Sequence, residues 1–236
     1  YQSGKSGSTA TDNVLIGKHS GFNNTASNNV FVGSRSGYTN TSGTDNVFIG
    51  NTAAYTNNDG NDNVVIGNQS GYKLTSGSAN VLVGSQAGYN TTEGLRNVFI
   101  GGVSSNNGSD AAGYSNTSGD DNIHIGSKAG NNSTTSNRNI LVGSNAGSSI
   151  QTNGDNIVIG CDAGANLTSA DNLLIGYQAG EGAVSNSENI MIGNQSGQNS
   201  TASDKCVFIG KGAGKNIQGD NNTFIGYEAG NADTGI

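Results

Sequence analysis

The 236-residue chain contains no proline and no tryptophan, only two cysteines, and few charged residues. The lack of proline suits a structure in which nearly every backbone N–H joins a ladder, because proline removes that donor. Seventeen Asp and Glu outweigh ten Lys and Arg, giving a net charge of −7 with no basic patch. This balance argues against nucleic-acid binding and against adhesion to anionic membranes. There is no run of eighteen apolar residues, so no segment reads as a bilayer-spanning helix, and no signal-peptide pattern is present. Cys161 and Cys206 lie about three repeats apart, roughly 14 Å at the spacing of stacked strands. That separation excludes a disulfide, and two unpaired thiols leave the redox compartment open. No Ser–His–Asp set, paired carboxylates, phosphate-binding loop or zinc-ligand spacing occurs. Neither enzymatic activity nor a cofactor or metal is expected.

What the chain does have is one phrase, an apolar triplet closed by glycine and usually preceded by Asn. It recurs thirteen times between Asn13 and Gly226, at intervals of 16 or 17 residues with one interval of 25. Asn46-Val47-Phe48-Ile49-Gly50 and Asn172-Leu173-Leu174-Ile175-Gly176 are examples. A hydrophobic content of 32 % would suggest disorder if scattered, but here it is concentrated into one burst per period, as a thin continuous core requires. The triplet is β-branched or aromatic, too short for a helix and bounded by turn residues, so it reads as a strand. A second glycine four residues after the first marks a tight corner, with Ala54 the one exception in that column. A Thr-rich polar stretch then returns the chain to the next Asn. The expectation is an all-β, parallel β-solenoid of about thirteen coils with 16–17 residues each, a single repeat domain over residues 1–236. The Asn column suggests stacked amides donating to one neighbour and accepting from the other. Asp precedes that column in six repeats, but the nine-residue unit of calcium-binding rolls is absent.

Alternation sends the first and third residues of each triplet to one face and the middle residue to the other. The first and third are almost always Val, Ile or Leu and are expected to fill the core. The middle column then faces outward as Leu15, Phe31, Phe48, Val65, Leu82, Phe99, His124, Leu141, Val158, Leu174, Met191, Phe208 and Phe224. Twelve of these thirteen are apolar, and a bare stripe of that length requires a cover. The expected cover is self-association along this column, with a threefold bundle as the favoured geometry.

On these repeats the chain resembles the heads of YadA-type trimeric autotransporter adhesins, built from Asn-x-Val-x-Ile-Gly units followed by a small residue. It is also similar to repeats in bacteriophage and bacterial tail-fibre-like proteins. The resemblance covers essentially the whole chain. It implies a left-handed parallel β-roll, trimerisation through the inner strands, an extracellular setting on a cell surface or virion fibre, and binding to host-matrix protein or glycan. The repeat here is longer than in the adhesins and its middle residue is larger, and these 236 residues read as repeats throughout, without the heptad pattern of a stalk.

Candidate recognition residues lie where the repeat varies. The residue after the second glycine begins as an aromatic column, Phe22, Tyr38, Tyr55, Tyr72, Tyr89 and Tyr114, then changes to Asn131 and other polar residues. It reads either as a platform for sugar or protein or as a self-supporting stack. The 25-residue interval inserts about eight residues, roughly 102–110, beside the last Tyr rung. Asn106, Asn107 and Asp110 in this insertion are candidate contacts, unless it is merely a tolerated surface loop. His124 interrupts the middle column, where it could face an ion or simply be accommodated. A partial Thr column, including Thr25, Thr41, Thr75, Thr92 and Thr117, keeps ice binding as a minor alternative. Asn40, Asn90, Asn166 and Asn199 begin glycosylation sequons that matter only in a glycosylating host. The register of Tyr1-Gln2-Ser3-Gly4 and of Asn231 to Ile236 places partial coils at both ends. The function expected is a non-enzymatic fibre or adhesin module, probed against a self-assembling filament with no dedicated ligand.

Overall fold

The computed structural model describes residues 2–4, 10–103 and 109–231. These residues form thirteen three-residue strands, from β1 (Val14–Ile16) to β13 (Thr223–Ile225), and contain no helix. The strands make one parallel sheet in chain order, so the protein is a β-solenoid in which each coil adds one strand beside the last. Pairing is residue-for-residue throughout: Val14 opposes Val30, Leu15 opposes Phe31 and Ile16 opposes Val32. The long interval does not disturb it. β6 (Val98–Ile100) still pairs with β7 (Ile123–Ile125), Phe99 opposite His124.

The two faces of the sheet are the reverse of the sequence expectation. The middle residue of each triplet points into the coil: Phe31, Phe48, Val65, Leu82, Phe99, His124, Leu141, Val158, Met191 and Phe208 are fully buried, and Leu174 is nearly so. Leu15 and Phe224, on the end rungs, are partly buried against the same core. The first and third residues face outward instead. The assignment of the middle column to an oligomer interface is therefore corrected: it is the solenoid's own core.

Closure at the corner explains the reversal. The second glycine of each repeat sits directly on the middle side chain, where a Cβ on Gly113 would come within 2.5 Å of the Phe99 ring. Omitting that atom makes room for a large middle residue, and the φ of +58° at Gly113 is one that glycine adopts without strain. The closing glycines stack still more tightly, since a Cβ on Gly33 would lie 2.2 Å from the Gly50 carbonyl oxygen. The wall opposite the sheet is built from small residues such as Ala53, Ala87 and Ala129 and from a column three residues after the corner glycine. That column reads Asn40, Asn57, Leu74, Thr91, Asn116, Ser133 and Ile150 in successive coils, all buried. Where Asn follows Asn the side chains bond in series: the Asn40 amide donates to Asn24 and the Asn57 amide donates to Asn40, both at 2.6 Å.

The Asn column preceding the strands is a fuller ladder. Oδ1 of Asn63 accepts the backbone N–H of Asn80 at 3.0 Å and its side-chain amide at 3.1 Å. Nδ2 of Asn80 also donates to the Gly94 carbonyl of the following coil at 2.8 Å. Each Asn thus fastens strand to strand and strand to return segment. Cys206 occupies one position in this column, and its Sγ takes the N–H of Asn222 at 3.3 Å in place of an amide oxygen. Both cysteines are free.

Candidate functional site

The aromatic column forms a continuous stack. Phe22, Tyr38, Tyr55, Tyr72, Tyr89 and Tyr114 follow one another with ring centroids 5.1–5.3 Å apart and planes within 12° of parallel. In-register coils dictate this: one ring per coil, held at a corner whose glycine or alanine is buried, has its copy as nearest neighbour. Stacking of this kind contributes beyond the area it buries. At this spacing a sugar cannot lie flat between the rings. What remains accessible is the outer edge of each ring and its hydroxyl. The five phenol oxygens have no hydrogen-bond partner among the described residues, and solvent reaches them. Burial holds the Tyr89 hydroxyl above its ordinary pKa, and the neighbouring Tyr72 and Tyr114 push it in the same direction. Lys73 lies over the Tyr89 ring, its Nζ 5.7 Å from the centroid.

The insertion meets the end of this row, as its position in the sequence suggests. Asn106 and Asn107 lie outside the described residues. The chain leaves the ladder after Val103, whose N–H bonds the Ser85 carbonyl, and rejoins it at Asp110, whose carbonyl accepts from Lys128 N–H at 2.7 Å. The Asp110 carboxylate pairs with Lys128 Nζ at 3.4 Å. Asn131, which succeeds Tyr114 in the aromatic column, donates from its side-chain amide to the Ser109 carbonyl at 3.0 Å. The base of the loop therefore closes one end of the tyrosine row. Lys128 carries no repeat signal, since it sits in a variable column, and only the structure shows its pairing with Asp110 and the bond from Asn131 to Ser109.

His124 lies inside the coil with the aromatic core. Its ring stacks on Phe99 at 4.7 Å, and neither nitrogen has a hydrogen-bond partner. Burial lowers its pKa to about 3, so the imidazole is neutral. It separates the apolar core into two clusters, one ending near Phe99 and Ala112 and the other starting at Ala129 and Leu141. Because it points inward, three copies of it cannot meet around a symmetry axis to hold an ion.

The remaining polar columns have structural roles. Thr41, Thr75, Thr92, Thr117 and Thr134 donate their hydroxyls to carbonyls of the following coil, which ties coils together. The residue before the Asn column adopts φ near +60°, as in Asp45, Asp62 and Asp121. Asp tolerates that left-handed conformation through local hydrogen bonding, which accounts for its recurrence there without a cation. The same position also admits Arg96 and Arg138, each fork-bonded to the Asp of the next coil, Asp121 and Asp155. Among the described residues no group of three or more His, Cys, Asp or Glu could hold a metal ion. Asn40 is buried with its amide bonded, so of the sequons considered it cannot accept a glycan in the folded state.

The outward face of the sheet is the second candidate surface, and it carries the columns the sequence reading placed inside. Ile16, Ile49, Ile100, Ile157, Ile159 and Ile190 on this face are each more than a third exposed. From β1 to β12 (Val207–Ile209) the stripe is two apolar side chains wide, and at β13 Thr223 replaces one of them. Over three coils it forms a shallow open groove lined by Ile157, Leu173 and Ile190, with the carboxylates of Asp155, Asp171 and Glu188 along its rim. No family model, curated protein or solved structure matches the chain.

Proposed function

We propose that this chain is a non-enzymatic rod module of an extracellular fibre or adhesin, which associates with copies of itself and presents recognition surfaces along its length. The observation that carries this reading is the outward Val/Ile stripe. A monomer rarely leaves so long an apolar surface bare, and exposed strand faces of this composition invite pairing. The polar half of the same coil cannot cover it, because that half closes over the opposite face. A stripe two columns wide suits a parallel, cyclic arrangement in which the first column of one copy meets the third column of the next, a heterologous contact that forms a threefold bundle where its rotation closes at three copies. The repeat resemblance points to the same threefold bundle. With the interface on the outer columns, the tyrosine row remains free for a partner of glycan or matrix-protein type.

Light scattering with mass determination tests the assembly. A discrete trimer is expected for the wild-type chain, and Ile49→Lys with Ile100→Lys and Ile159→Lys should yield a folded monomer. Growth without limit would instead favour a self-assembling filament. A wild-type monomer at micromolar concentration would remove the proposal.

A further inference from the structure

Resting on the reading of this chain as a recognition rod, the geometry points to a specific ligand class for the tyrosine row: we infer that it binds a linear, β-1,4-linked polysaccharide lying parallel to the solenoid axis. Three features carry this. Neighbouring rings leave no gap wide enough for a sugar between them, so recognition falls to the outer surface of the row and its hydroxyls. The hydroxyls of Tyr38, Tyr55, Tyr72, Tyr89 and Tyr114 lack protein partners and are open to water, leaving each free both to donate and to accept. They also repeat with the coil, so the row is a ruler with a step of 5.1–5.3 Å between rings.

The step discriminates among linear polymers. An extended peptide advances about 3.3 Å per residue and a polyproline helix about 3.1 Å, so neither stays in phase with the row over five rungs. A nucleic-acid strand advances about 3.4 Å per phosphate and is also repelled by the acidic chain. An extended, equatorially linked pyranose chain advances by close to one rung per sugar, and its ring-edge hydroxyls match phenols in kind. A second copy of this chain would also be in step. However, the polar residues beside the row, Asn90, Ser115 and exposed Lys73, give it no apolar rim of the sort that the Val/Ile stripe offers. The loop base at Ser109 and Asn131 closes one end, which sets the ligand length at about one sugar per ring. Because the rungs are rigidly spaced, individually weak contacts add without further ordering cost.

Isothermal titration of the full chain with cellotriose, cellohexaose, chitohexaose and maltohexaose tests this. Affinity is expected to rise at least tenfold from cellotriose to cellohexaose. Maltohexaose, whose α-linked chain curls out of step, should not bind. The chitohexaose arm tells whether N-acetyl groups are tolerated on the same backbone. Joint replacement Tyr55→Phe, Tyr72→Phe and Tyr89→Phe keeps the ring stack and should lower cellohexaose affinity at least tenfold with an unchanged melting temperature. Should the triple variant unfold, Tyr72→Phe alone, expected to cost about threefold, decides. Equal binding of cello- and malto-oligosaccharides, no binding of either β-linked hexamer, or binding indifferent to these substitutions would overturn the inference. So would a change of oligomeric mass on removing the hydroxyls, which would assign the row to contact between copies. A discrete trimer without β-glycan binding would sink this inference alone, whereas a wild-type monomer that binds cellohexaose would sink only the assembly proposal.

Discussion

Asn46, Asn63 and Asn80 lose their water on folding, and the stack returns those hydrogen bonds one coil at a time. A lone buried amide costs roughly 1–3 kcal/mol for each group left unpaired. The column avoids that cost because the geometry repeats. Cys206 is the weak link, with sulfur accepting where oxygen accepts elsewhere. Cys206→Asn is expected to raise stability by about 1 kcal/mol, read from urea unfolding. His124 is the other departure at this scale. The unfolded side chain takes up a proton below its ordinary pKa of 6.5, while the buried one resists until about 3. The unfolded state therefore binds more protons in that window. Its contribution is fully present above pH 6.5 and is lost as pH falls towards 3, by at most about 1.4 kcal/mol per pH unit. His124→Leu, matching Leu141 in the next coil, should stabilise the protein and flatten this part of its acid-unfolding profile. An unchanged profile would show that His124 is not buried as described.

At the scale of the element, each coil joins a three-residue strand to two glycine corners and a return segment whose hydroxyls and amides bond the next coil. Neighbouring coils are held by interactions of one kind, so an interruption is tolerated wherever the ladder resumes in register. The insertion is such a case, since Val103 and Asp110 both keep their ladder bonds to adjacent coils. Deleting residues 102–109 shortens the interval from 25 to 17 and joins Gly101 to Asp110 in the ordinary register. The deletion is expected to leave the melting temperature within a few degrees of wild type and the far-ultraviolet circular dichroism unchanged. A large loss of stability would mean that the loop supports the coils it spans. Strand, corner and insertion were all legible in the sequence, because period and turn chemistry are local signals. The bonds by which Lys128 and Asn131 hold the base of the loop were not, since neither residue repeats.

At the scale of the whole molecule, two surfaces run along the coils: the outward apolar stripe, proposed as the interface, and the tyrosine row, proposed as the binding site. Stability in such a stack is close to a sum over coils and their contacts, which lets surface residues vary without loss of the fold. The sequence by itself determined the period, the parallel register, the glycine corners and the existence of an aromatic column. Its alternation also established that the strands have two apolar faces, but alternation carries no sign. Tertiary structure decided which face is inside, because only the closed coil shows Gly37 and Gly113 pressed against Phe31 and Phe99 and the polar return segment capping that side. It likewise decided that each tyrosine stacks on the next, because stacking between coils is set by how the corners superpose and not by any residue alone.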